Sequence, residues 1–85
     1  MRLDKFLKTS RIIKRRTLAN EACSGGCVRV NGKTAKPSAE VKAGDEIEVS
    51  LGRRVVRYEV VQTAEHVLKQ DAAAMYRVIE ETKGD

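Results

Sequence analysis

At Gly25-Gly26 the hydrophobic period of this chain changes from that of a helix to that of a strand. Upstream, Leu3, Phe6 and Leu7 recur at i, i+3 and i+4, the stripe of an amphipathic helix over 2–9, with Arg2, Lys5 and Thr9 on another face. A second helix fits 15–24. Leu18, Ala19, Ala22 and Cys23 give it an apolar face, Arg16 and Asn20 lie one turn apart on another side, and the glycine pair supplies the left-handed residue that ends it. Residues 10–14 read as the turn between the helices, with Ile12 and Ile13 buried. Downstream, Val28 and Val30 face one way and Arg29 the other. Asn31-Gly32 follows, a strong hairpin signal because both central residues of a type I′ turn need positive φ, and Pro37 closes the returning arm. Gly44-Asp45 turns the chain into a strand where Ile47, Val49 and Leu51 alternate with Glu46, Glu48 and Ser50. Gly52 connects it to a third strand with Val55 or Val56, Tyr58 and Val60 inward. The tail "DAAAMYRVIEETK" is a helix by propensity, opened by Asp71 and carrying Met75, Tyr76 and Ile79 on one face. Residues 62–70 favour no element. The expected class is α+β: two N-terminal helices packed on a small antiparallel sheet, plus a C-terminal helix, in one domain.

The chain is short, 85 residues, and buries only about 60–65% of its unfolded surface. Its three aromatics, Phe6, Tyr58 and Tyr76, leave the core to Val, Ile, Leu and Ala. The net charge of +5 is unevenly spread. Residues 1–16 hold Arg2, Lys5, Lys8, Arg11, Lys14, Arg15 and Arg16 against the single acid Asp4, while the remainder has one more acid than base. Such a basic cluster on a balanced body is the electrostatic footprint of a polyanion binder. Arg15 and Arg16 open a helix against its macrodipole, which implies a partner outside the chain. Asp4 is expected to orient a neighbouring arginine or cap the first helix. The near absence of aromatics argues against single-strand stacking platforms and for folded RNA, read through shape, phosphates and 2′-hydroxyls.

Catalytic and metal chemistry find little footing. One C-x3-C, Cys23 and Cys27, with a distant His66 does not make a four-ligand zinc site. Its spacing is not that of a redox C-x-x-C either. His66 has neither nucleophile nor acid at a catalytic spacing, and Glu46 and Glu48 read as the solvent side of a strand. No phosphate-binding glycine loop is present. A non-enzymatic chain without cofactor or metal is expected. No apolar run is long enough to cross a membrane and no signal-peptide pattern opens the sequence, so the expected location is the cytoplasm, with both cysteines reduced.

Four blocks follow one another in order: "RLDKFL" at 2–7, the basic residues at 14–16 opening a helix, "GGCVRVNGK" at 25–33 and "VKAGDEIEV" at 41–49. Together they resemble the S4-type (αL motif) RNA-binding domain, most strongly over 1–50. The resemblance implies two helices on a small, bent antiparallel sheet, with the helix pair and the adjoining hairpin binding structured RNA. On that basis 1–61 form the domain and 62–85 a C-terminal extension in the same compact unit. The candidate RNA contacts are Arg2, Lys5, Lys8, Arg11, Lys14, Arg15 and Arg16, with Asn31 and Lys33 from the hairpin. The whole chain, including "AAAMYRVIEETK" at 72–83, resembles the small stand-alone factors of bacterial ribosome-associated quality control. In these, arginines matching Arg2 and Arg16 meet RNA. That similarity implies an obstructed large (50S) ribosomal subunit as partner, with contacts to large-subunit rRNA and peptidyl-tRNA. It also implies support for C-terminal alanine tailing by a partner protein on the same particle, and a monomer in solution. Two alternatives stay open: a heat-shock ribosome-recycling factor of the same domain family, and a protein–protein adaptor.

Overall fold

The computed structural model describes residues 1–64 and 67–83. Helix α1 spans Leu3–Thr9 and α2 Arg16–Ser24. Five strands follow: β1 Val28–Val30, β2 Lys33–Thr34, β3 Glu46–Leu51, β4 Arg54–Val60 and β5 Tyr76–Lys83. A 3-10 helix, Lys69–Met75, lies between β4 and β5. The strands form one sheet in the order β2-β1-β3-β4-β5, antiparallel at every pairing.

Helix α1 buries the stripe its spacing implies, and α2 buries Ala19 and Cys23 of its apolar face. Leu3, Phe6 and Leu7 of α1 and Ala19 and Cys23 of α2 join Val28, Ile47, Val49, Val60 and Met75 in one core. Because side chains alternate along a strand, the same register sends Glu46, Glu48, Arg57 and Glu59 to the opposite face. The start of α1 is tied down by backbone. The Leu3 N–H donates to the Ala39 carbonyl at 2.8 Å and the Asp4 N–H to that of Pro37 at 3.1 Å, satisfying donors that a helix start leaves open. The Met1 ammonium pairs with Glu40 at 2.5 Å. At the Asn31-Gly32 turn both φ angles are positive, 51° and 82°, as the hairpin requires.

The structure corrects the sequence reading at two points. The expected C-terminal helix is absent over 76–83, which form β5 instead; only 69–75 coil, as a 3-10 helix. Seven residues of β4 pair with β5, from Arg54↔Lys83 to Val60↔Tyr76, and this long-range pairing overrides the helix preference of the alanine run. The Tyr58 and Tyr76 rings meet edge to face, with centroids 5.1 Å apart. Leu18 and Leu51, assigned to the core by spacing, are 48% and 53% exposed. Both line an open surface pocket with Ile12, Ile13 and Ala22 instead of entering the core. His66 lies outside the described residues.

Candidate nucleic-acid interface

Two arginines from opposite ends of the basic stretch meet at one buried carboxylate. Asp4 shows 3% of its side chain to solvent, while Arg2 and Arg16 beside it are about half exposed, at 50% and 49%. Arg2 donates from Nε to Asp4 Oδ1 and from Nη2 to Oδ2, both at 3.2 Å. Arg16 Nη2 reaches Oδ1 and Asn20 Nδ2 reaches Oδ2, each at 3.5 Å. The Lys5 backbone N–H donates to Oδ1 at 2.8 Å. Asp4 therefore orients arginines; the α1 N-cap is Arg2, with no side-chain cap. Burial alone would raise the carboxyl's pKa. The Asn20 amide, Arg16, the Lys5 N–H and Arg2 together outweigh it and hold the group below its usual value. One anion thus braces two guanidiniums whose outer edges stay open to solvent.

The other candidate cations lie further along α1, in the connection to α2 and on the hairpin. Lys8 lies exposed in the last turn of α1, and Arg11, Lys14 and Arg15 are exposed in the segment joining the helices. Among the described residues no carboxylate lies within 4.0 Å of these four or of Lys33. Lys5, on α1, is partly buried. Arg11 follows the α1 C-cap with φ of 64°, a left-handed position that glycine commonly fills. Cations on the sheet are placed otherwise. Arg29 meets Glu48 at 4.0 Å, Arg57 meets Glu46 at 3.6 Å, Arg77 meets Glu59 at 2.6 Å, and Arg54 pairs with Glu81. Each of these four sheet arginines meets a glutamate, whereas among the described residues Lys8, Arg11, Lys14 and Arg15 keep their charge uncompensated.

Asn31 has less freedom than its place in the turn suggests. Its Nδ2 donates to Asp45 Oδ1 at 3.2 Å, and its Oδ1 accepts the Glu46 N–H at 3.0 Å. Both ends of the amide hold the hairpin against the start of β3. Lys33 is exposed at the start of β2. Sequence reasoning passed over Asn20 as a functional group, although its position one turn after Arg16 was the signal. It also passed over the arm 34–38. This arm forms an open cleft of about 600 Å³ with Arg2, Asn20 and Ser24. No local pattern marks the arm, because its place beside Arg2 depends on the backbone bonds between 37–39 and the start of α1.

The S4 domain family model matches residues 1–47. The chain is 46% identical to the RQC P-site tRNA stabilizing factor of Streptococcus pneumoniae, over 98% of this chain and 94% of the relative. It is 48% identical to the Bacillus subtilis protein of the same name, over 98% and 96%. The chain belongs to the S4 domain family, in the group of RQC P-site tRNA stabilizing factors. An S4-type architecture is also seen in its structural likeness to the trimeric Heat Shock Protein 15 of Vibrio cholerae. That likeness has a TM-score of 0.85 at 32% identity, over 93% of this chain and 81% of the other. The S4 match covers both helices, the β1–β2 hairpin and the first residues of β3, the part of the molecule that holds the Asp4 cluster.

Cys23 of the S4 core is unsuited to thiol chemistry. It is buried, and that burial, with Asp4 and Cys27 nearby, pushes its pKa up to about 11. A thiol so shifted is almost wholly protonated at neutral pH, and the thiolate is the nucleophile. Among the described residues no group of acids, cysteines or histidines could hold a metal ion, and no helix is long and apolar enough to cross a membrane.

Proposed function

We propose that this chain is a non-enzymatic RNA-binding factor of bacterial ribosome-associated quality control. In this reading it acts in the cytoplasm as a monomer on large (50S) ribosomal subunits obstructed by peptidyl-tRNA. It contacts large-subunit rRNA and tRNA and steadies the tRNA while a partner protein on the same particle adds a C-terminal alanine tail. The observation that carries the reading is the Asp4-braced pair, Arg2 and Arg16, within the S4 match, with Arg11, Lys14 and Arg15 exposed in the segment joining the two helices. A guanidinium held by a buried carboxylate has already given up much of its rotamer freedom, so it meets a phosphate or base edge at reduced entropic cost. The names of the two curated relatives support tRNA in the P site as the object held.

Arg2 and Arg16 take the specific contacts. Lys5, Lys8, Arg11, Lys14, Arg15 and Lys33 add phosphate contacts, and Asn31 acts by shaping the hairpin. Residues 1–61 form the RNA-binding unit and 62–85 its extension. The test is co-sedimentation with purified large subunits carrying tRNA. Arg16→Ala should weaken binding by about 1–3 kcal/mol, and Lys8→Ala by less. Retention of the protein on particles after RNase digestion would defeat the RNA reading in favour of a protein adaptor.

A further inference from the structure

We propose that the apolar groove between α2 and the end of β3 is a docking site for one amphipathic helix of a protein partner, laid along α2 with an acidic end at Lys14 and a basic end at Glu21. The site is separate from the arginine pair and does not depend on the RNA-binding reading.

The groove has a volume of about 480 Å³. Leu18 and Leu51 line it while 48% and 53% exposed, and Ile12, Ala22 and Cys27 line it half-buried. Ile12 and Leu51 also line a smaller hollow with Val56 and Tyr58, so the apolar strip continues onto the sheet. The fold leaves this surface in water, and burying it against a partner is favourable. Two charged residues stand in the same lining: Lys14, just before α2, and Glu21, in its second turn. Both are exposed, and among the described residues neither meets an opposite charge within 4.0 Å. At the helical rise they lie on the order of 10 Å apart along α2.

That charge pattern selects the occupant. A helix carries acids favourably at its N-terminus and bases at its C-terminus, so one with its N-terminus at Lys14 satisfies both charges while its apolar stripe enters the groove. Strand addition is closed off, because β3 is already paired on both sides. RNA fits poorly: the groove offers no aromatic ring to a base, and Glu21 repels phosphate. A twofold contact with a second copy would set hollow against hollow. With 3.6 residues per turn, Leu18 and Ala22 lie on the side of α2 away from Arg16 and Asn20. RNA on the arginine pair therefore leaves the groove open.

The experiment titrates the full chain into a fluorescent helical peptide with leucines at i, i+4 and i+7, glutamates before them and arginines after, and reads anisotropy. Saturable binding is expected, and Leu18→Gln should weaken it roughly fivefold or more while large-subunit binding persists. A peptide with its charged ends exchanged should bind roughly three- to tenfold more weakly, and Glu21→Lys should prefer a peptide with glutamates at both ends. In the assembled particle, p-benzoylphenylalanine in place of Leu51 should give an RNase-resistant adduct whose cross-linked peptide carries an apolar stripe between an acidic and a basic end. No saturable binding, or equal affinity for the exchanged peptide, would overturn the proposal. So would an adduct to RNA, to a second copy or to no partner at all. Loss of subunit binding with peptide binding intact would remove the RNA reading and leave this site standing.

Discussion

Asp4 and Arg11 show function set against local stability at single positions. Asp4 has a depressed pKa in the fold, so its contribution is fully present above the unfolded value, about 3.9, and is lost as pH falls through the folded value. Denaturant titrations of the unaltered chain and Asp4→Asn should differ by about 1–3 kcal/mol at pH 7, and the difference should shrink below about pH 4. Affinity for RNA should fall in the same variant, since Arg2 and Arg16 lose their brace. A stability difference independent of pH would show that the carboxylate charge is not what matters. Arg11 carries a left-handed backbone that costs an L-residue about 1–2 kcal/mol. Glycine escapes most of that cost and gives some back as unfolded-state entropy. Arg11→Gly should therefore raise stability by up to about 1 kcal/mol while weakening subunit binding. Opposite signs in the melting and binding measurements would mark Arg11 as kept for its charge.

At the scale of elements, legibility in the sequence followed the range of the forces. The helices α1 and α2 could be read because periodicity and stop signals are local, and the β1–β2 hairpin because Asn31-Gly32 sets its own turn. Strand β5 could not be read from local propensity. Its helix-forming preamble, Ala72 to Ala74, outweighed the aromatic and β-branched residues Tyr76, Val78, Ile79 and Thr82. A bulge opposite Arg57 and Tyr58 breaks the alternation that would have exposed the strand. Of the candidate site, the basic turn and the Asp4–arginine relation were visible, but the 34–38 wall was not, for the same long-range reason. Asn31 gives this scale its prediction. Asn31→Ala removes two hydrogen bonds and places an alanine at positive φ. It should cost about 1–3 kcal/mol of stability and shift subunit affinity far less than Arg16→Ala. Equal losses in affinity would return Asn31 to the RNA contacts.

Over the whole molecule, charge is sorted by its compensation. The sheet arginines have glutamate partners, and the cations of 8–15 have none among the described residues. Salt should accordingly act on binding far more than on folding. With about five phosphate contacts the log–log slope of affinity against salt should be roughly −3 to −4. The melting temperature should hardly move, because exposed ion pairs contribute about 0–1 kcal/mol each. A flat affinity curve would remove the electrostatic account.

The carbonyls of Pro37 and Ala39, which cap the first turn of α1, have a mechanical consequence. Whatever pulls on the returning arm pulls on the helix that carries Arg2 and Asp4, so neither can drift without the other. A partner arriving there meets a mould already cast. In hydrogen exchange, the amides of Leu3 and Asp4 should open only when the whole domain does.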